Sequence, residues 1–425
     1  MGRRKGEAEM GTESSLTRRY SLSYFTLFAM YGVVSPYLQI LVRGLGYGPA
    51  AVGLFLALFE IVGILGPIFL ARRADASSKR KPALVAAAFC ILGALPSLVL
   101  IRQPLVTAVS IALLAIGVKT VVPVMDSAAV AFLASGAGNA GGAGNNGAGK
   151  AGGAGNAGGV GGGGRARGTK GYGSLRVMGS LGFIAVALLL QAIPGFDRSP
   201  PWGIALWIAG TTALALVCLA FLPEAAAPAR GEDRGSRERR RFDPLFALGL
   251  VIIGFGRFAM APVNSFVSLY ATEYLKLDAV GGLWALAAAT EVPIMLVAGA
   301  VIMRIGPMAA IAISTAAVAT RLAVCALFPT AGGLVAAQLL HSLCYGLFQP
   351  AAVAFVAGRV PPERRSSGMA IYMGFGVGLP AVLGSALGGF VVEAAGYRWL
   401  FAAFIPFALA SLAIQAATTR RFARG

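Results

Sequence analysis

Residues 104–134 read PLVTAVSIALLAIGVKTVVPVMDSAAVAFLA, an apolar run broken by two charges, Lys119 and Asp126. A helix needs about 20 apolar residues to cross a bilayer, and this run exceeds that length. After a long loop, residues 171–193 form another such run. It opens with Tyr172-Gly-Ser-Leu-Arg176-Val-Met-Gly-Ser180 and so carries an arginine. A charge in hydrocarbon costs at least a few kcal/mol, so it is kept only where it is paired, solvated in a cavity or used. Asp126 and Arg176 are expected to face each other across the connection of two consecutive helices, as groups that hold a solute or an ion.

The same pattern extends over the chain. The 425 residues are 57% hydrophobic and 12% charged. Composition of that kind excludes a soluble domain, and the weak alternation of an outer-membrane barrel is absent. Twelve apolar segments are read, at 20–42, 50–71, 82–101, 104–134, 171–193, 202–222, 244–272, 279–303, 307–328, 331–358, 366–393 and 398–419. The expected fold is an all-α membrane protein of twelve transmembrane helices in two six-helix, pseudo-symmetric halves. The first apolar run is too long for a signal peptide and is read as helix 1.

The boundaries are an N-tail at 1–19, a first half at 20–222, a linker at 223–243, a second half at 244–419 and a C-tail at 420–425. Residues 136–168 form a Gly-rich insert within the first half. Of the 36 Lys and Arg, 27 fall on the side that holds both termini and five on the opposite side. By the positive-inside rule both termini are cytoplasmic, in a multi-pass protein of the cytoplasmic (inner) membrane. The formal charge of +19 is therefore a topology signal. Its expected neighbours are anionic lipid headgroups, and no nucleic-acid partner is implied. A monomer is expected.

The insert holds two chance motifs. Gly136-Ala-Gly138-Asn-Ala-Gly141 imitates a dinucleotide fingerprint, and Gly144-Asn-Asn-Gly-Ala-Gly149-Lys150 imitates a P-loop. Neither follows a strand, and Ala151 stands where a P-loop needs Ser or Thr. No cofactor or metal is implied. The four cysteines lie within apolar segments without metal-ligand spacing.

Further charges and polar groups sit at membrane depth. Glu60 on helix 2 and Lys119 on helix 4 make a possible second pair, with structural pairing at least as good a reading as binding. Arg257 and Asn264 form a polar stripe on helix 7 with Ser268. Tyr24, Phe28, Tyr31 and Ser35 stripe helix 1, where aromatics at this spacing more often pack than line a cavity. Glu291, Arg321 and His341 share one depth on helices 8, 9 and 10, with Gln338, Tyr345 and Gln349 on the face of the histidine. A carboxyl beside a guanidinium and the single histidine can load and release a proton. A hydrogen-bonded core histidine is the competing reading. Interior cations number one more than interior acids when His341 is neutral, which an anionic solute or a water-filled cavity would complete.

These motifs resemble the major facilitator superfamily, in particular its proton-symporter branch of phenylpropionate, nucleoside and lactose permeases. The likeness covers nearly the whole chain outside the N-tail and the insert. It rests on Pro123-Val-Met-Asp126, on Tyr172–Ser180, on Trp284–Glu291 and on a cytoplasmic gating loop with Asp75, Lys79 and Arg80. The resemblance implies that Asp126 and Arg176 bind substrate. It also implies that Glu291, Arg321 and His341 bind substrate or handle the proton. The sequence departs from that pattern where Cys344 replaces an acid one turn after His341 and where helix 7 carries Arg257 in place of acids. The gating loop lacks its usual Gly and the Arg after the Asp.

The implied activity is proton-coupled symport of a small polar or anionic organic solute (an aromatic carboxylate, nucleoside or sugar) by alternating access. Drug efflux by proton antiport is the alternative within the class, and a receptor or scaffold the alternative outside it. An enzyme would need a nucleophile with its base or clustered metal ligands, which one His and scattered Ser do not supply. Deleting residues 138–164 is expected to leave transport within about twofold of the full chain, because a polar Gly-rich loop cannot build a core and loop closure changes slowly with length. Uptake by the deletion variant at matched expression checks this.

Overall fold

The computed structural model describes residues 2–77, 80–140, 165–222 and 242–424, and these form helices joined by short turns with no strand among them. The first half comprises α1 (Gly2–Gly44), α2 (Pro49–Ser77), α3 (Lys81–Leu100), α4 (Pro104–Ala140), α5 (Arg165–Gln191) and α6 (Pro201–Ala220). The second comprises α7 (Pro244–Tyr274), α8 (Val280–Ile305), α9 (Pro307–Leu327), α10 (Ala331–Arg359), α11 (Ser367–Ala395) and α12 (Tyr397–Arg424). Among the described residues, ten helices are long and apolar enough to cross a membrane, and two shorter apolar stretches lie at Pro49–Leu65 and Leu175–Gln191. The exposed Phe89, Leu206 and Leu296 point outward, as lipid-facing side chains do.

Helix ends follow local chemistry. Asp243 caps α7, its carboxylate accepting the Leu245 N–H at 2.9 Å, and Pro244 fills the first turn, where no donor is needed. Thr330 caps α10 through the Gly333 N–H at 3.1 Å. Gly306 and Gly396, at φ 83° and 82°, turn α8 into α9 and α11 into α12.

α1 and α7 run from the end that holds the termini toward the opposite, far end, and α2 and α8 start at the far end. Within the first half, α1 packs on α5 and α6, and α4 packs on α2 and α3. In the second half, α12 packs on α7 and α9. The halves meet along two seams, α2 against α11 and α5 against α8.

Small residues set the seams. A Cβ on Gly53 would lie 2.6 Å from the Ser385 carbonyl, and one on Gly281 would lie 2.2 Å from the Ala187 carbonyl. Backbones that close admit no side chain larger than hydrogen. Three helices of the second half contain a π-turn: Tyr270–Tyr274 ending α7, Ser342–Leu347 in α10 and Tyr372–Gly378 in α11. Such turns rotate the side chains that follow and recur at functional sites.

Candidate solute cavity and far-end closure

A cavity of about 380 Å³ lies between the halves. Its first-half wall is Phe28, Tyr31 and Ser35 on α1, Glu60 on α2, Lys119 on α4, and Arg176 and Phe183 on α5. Its second-half wall includes Asn264 on α7, Trp284 and Glu291 on α8, and His341 and Tyr345 on α10.

On the first-half side, Lys119 Nζ lies 2.8 and 3.0 Å from the two Glu60 oxygens, so this pair neutralises itself. The Arg176 guanidinium stands 4.2 Å from the Phe28 ring centroid, and its field reaches Glu291 across the cavity. Asp126 and Arg176 are not in ion-pair contact. Asp126 Oδ1 instead accepts the Tyr24 hydroxyl at 2.7 Å, and Tyr24 is fully buried. The stripe of helix 1 therefore divides, Tyr24 holding Asp126 while Phe28, Tyr31 and Ser35 face the cavity.

On the second-half side, Arg321 on α9 is 2% exposed. Its Nη2 donates to Gln338 Oε1, and its Nη1 lies 3.0 Å from His341 Nδ1. Guanidinium has no acceptor, so Nδ1 must accept, and the proton of a neutral ring sits on Nε2. Nε2 faces Glu291 Oε2 at 3.9 Å, too long for a direct bond and short enough for a solute group or water to join them. Tyr345 stacks on His341 with centroids 4.6 Å apart, and its hydroxyl takes the Asn264 amide at 2.5 Å.

Of the remaining sequence candidates, Arg257 lies behind Tyr345 and outside the cavity lining. Gln349 is exposed and accepts the Tyr372 hydroxyl at 3.4 Å. Arg80 donates to Ser127 Oγ at 2.7 Å. Lys79 and the side chain of Asp75 lie outside the described residues, as does 141–164 of the Gly-rich insert.

Sequence reasoning missed the groups that shut the far end. Arg43 Nε meets Glu273 Oε1 at 2.7 Å, and Glu273 Oε2 accepts the Tyr397 hydroxyl at 2.7 Å. Glu393 on α11 accepts the Ala50 N–H at 2.9 Å and so caps α2 from the other half. Gln191 accepts the Gly282 N–H at 2.9 Å and donates to the Asp278 carbonyl at 2.7 Å. Asp197, only 4% exposed, takes the Tyr37 hydroxyl at 2.9 Å on one oxygen and the Val280 N–H at 2.8 Å on the other. The Arg198–Asp278 pair at 3.0 Å is largely exposed and contributes little. The sequence signal for these groups is the set of acids, Asp197, Glu273 and Glu393, at far-end loops and helix ends.

Burial pushes the Asp197 carboxyl above its ordinary range. The Val280 N–H, Tyr37 and Arg198 oppose the shift, and Asp278 adds to it. Opening the far end would return Asp197 to water and to its ordinary value. The closed form thus binds the proton more tightly. Closure is favoured on the acid side, and that advantage is lost as pH rises through the raised value. In a background lacking the native cysteines, a cysteine at Ser35 is expected to become more reactive to a membrane-impermeant thiol reagent from the far side as pH rises. Asp197→Asn, which cannot titrate, should leave only the rise that comes from ionisation of the thiol itself.

Two bundles closing on a charged central cavity make a transporter rather than an enzyme, and the comparisons with known proteins agree. The profile of the MFS_1 like family matches residues 17–142 and 165–403. The chain therefore belongs to the MFS_1 like family of major facilitator transporters. It is 26% identical over 249 residues to the uncharacterized transporter YwbF of Bacillus subtilis (strain 168). That match spans 57% of this chain and 60% of the relative's length. A solved structure of the nucleoside transporter NupG (D323A mutant) superposes with a TM-score of 0.78 at 16% identity, covering 94% of this chain and 99% of that one. The xylose transporter XylE from E. coli gives a TM-score of 0.63 at 13% identity, covering 95% and 97%.

Proposed function

We propose that this transporter carries a small polar or anionic organic solute across the cytoplasmic membrane together with a proton, by alternating access. The observation that carries the reading is the linked set Arg321–His341···Glu291 on one wall of the cavity. Arg321 holds the imidazole in one tautomer, and that tautomer points its N–H at Glu291, a cavity acid with no Lys or Arg in ion-pair contact among the described residues. Such an acid is free to exchange a proton as access changes sides. Arg176, Asn264 and Tyr345 then supply fork-like and hydroxyl recognition of the solute.

With the far end shut by Asp197, Glu273, Gln191 and Glu393, this conformation serves the side of the termini. The positive-inside distribution of Lys and Arg makes that side the cytoplasm. The working unit of this reading is a monomer with twelve spans in two six-helix halves, 20–222 and 244–419. The rocker motion would break the far-end bonds and part the close glycine contacts of the α2–α11 and α5–α8 seams at that end.

Proteoliposomes test this directly. A panel of labelled carboxylates, nucleosides and sugars is offered with an inward proton gradient and with the gradient collapsed by an ionophore. Accumulation of one class that disappears with the gradient supports symport. Accumulation that persists without the gradient, or uptake driven only by an opposed gradient, refutes it.

A further inference from the structure

The interior charges balance in the first half of the chain and not in the second. Lys119 lies on Glu60, and Arg176 with Asp126 completes an equal count. In the second half Glu291 stands against two guanidinium groups, Arg257 and Arg321. Arg321 spends its donors on His341 and Gln338. Arg257 makes no hydrogen bond or ion pair with any described residue. Its Cζ stands 4.4 Å from the Tyr345 ring centroid and 4.8 Å from that of Phe348, and its Nη1 is buried with no hydrogen-bond partner. Ring faces attract a cation but accept none of its N–H bonds, so they do not replace a carboxylate. The group is also not sealed, since part of the residue remains accessible.

Its position ties it to the cavity. Asn264, seven residues on along α7, lines the cavity about 10 Å nearer the far end. Tyr345 lines the cavity and carries Arg257 against its ring. Arg257 thus stands just beyond the cavity lining, past Tyr345 and toward the end that holds the termini, where a carboxylate reaching past that ring would meet it. We propose that Arg257 is the docking residue for the carboxylate of the transported solute, which is an organic monoanion whose body fills the cavity. This rests on the transporter reading above and narrows its substrate class.

With His341 neutral and Glu291 ionised, the excess of one positive charge matches one negative charge on the solute. The cavity volume of about 380 Å³, walled by Phe28, Tyr31, Phe183 and Trp284, suits an apolar or ring-bearing body.

The test uses the full chain in lipid nanodiscs with benzoate, 3-phenylpropionate and hexanoate, each against its own amide. Thermal unfolding of wild-type protein is expected to shift upward by several degrees with at least one acid and not with its amide. Arg257→Gln should weaken that acid at least tenfold, and Arg257→Lys should retain part of the response. An amide that stabilises as well as its acid, a full acid response in Arg257→Gln, or no response to any acid overturns the proposal. If Arg257→Gln does not fold, the wild-type comparison of acid with amide and the Arg257→Lys affinity decide it. Acid binding without uptake would leave the anion site standing and remove the transport reading. Uptake of a neutral solute that Arg257→Gln leaves unchanged would do the reverse.

Discussion

Glu291→Gln is expected to abolish accumulation of solute against its gradient, lowering it at least tenfold, while exchange of solute across the membrane continues. The amide keeps the shape of the carboxyl and can still accept from a solute group or water that joins it to His341 Nε2 across the gap of 3.9 Å. It cannot take up or lose a proton at any working pH, so the step that couples solute to the proton gradient is gone. Exchange needs only the loaded carrier to reorient, with no net proton movement. Accumulation and counterflow measured on one preparation separate the two activities. Normal accumulation by the variant would remove Glu291 from proton handling. Loss of both activities together with loss of binding would move Glu291 to solute recognition.

Arg176→Lys is expected to weaken solute binding by about 10–100-fold without lowering the amount of protein in the membrane. Losing one charge-assisted hydrogen bond costs about 1.5–3 kcal/mol, which is one to two decades of affinity. Lysine keeps the charge but not the planar fork. It also changes the contact of the cation with the Phe28 ring, whose centroid lies 4.2 Å from the guanidinium carbon. Equilibrium binding with the best solute from the uptake panel checks the expectation. Near wild-type affinity would make Arg176 a helix-pinning residue. Because Asp126 is held by Tyr24 and not by Arg176, the two acidic and basic positions are separable. Asp126→Asn should therefore reduce affinity less than Arg176→Lys does.

Which groups meet was legible in the sequence only for part of the site. Glu60 and Lys119 were readable as a pair because each is an ion in hydrocarbon, and opposite charges at membrane depth have few other ways to be solvated. The Arg321–His341–Glu291 set was readable from order and depth along three helices. Asp126 and Arg176 were expected to face each other, and the phenol of Tyr24 takes that place. A tyrosine in an aromatic stripe gives no sign in the sequence of whether its hydroxyl points into a core or at a carboxylate. Glu273, Glu393 and Asp197 escaped notice because loop acids are ordinarily solvated, and nothing local says that a backbone N–H of the other half will reach them.

The sequence alone determined that the chain is a bundle of membrane helices in two halves, because hydrocarbon forces every backbone polar group to be satisfied within its own helix. Length, apolarity and the placement of Lys and Arg are local properties and are read residue by residue. Helix rotation about the axis is not local. It decides that Phe28 lines the cavity and Tyr24 does not, that Arg257 stacks behind Tyr345, and that Asp197 bridges the halves. That rotation is set by the packing of small residues such as Gly53 and Gly281 at the seams and by the π-turns of α7, α10 and α11, and only the assembled tertiary structure brings those contacts into being.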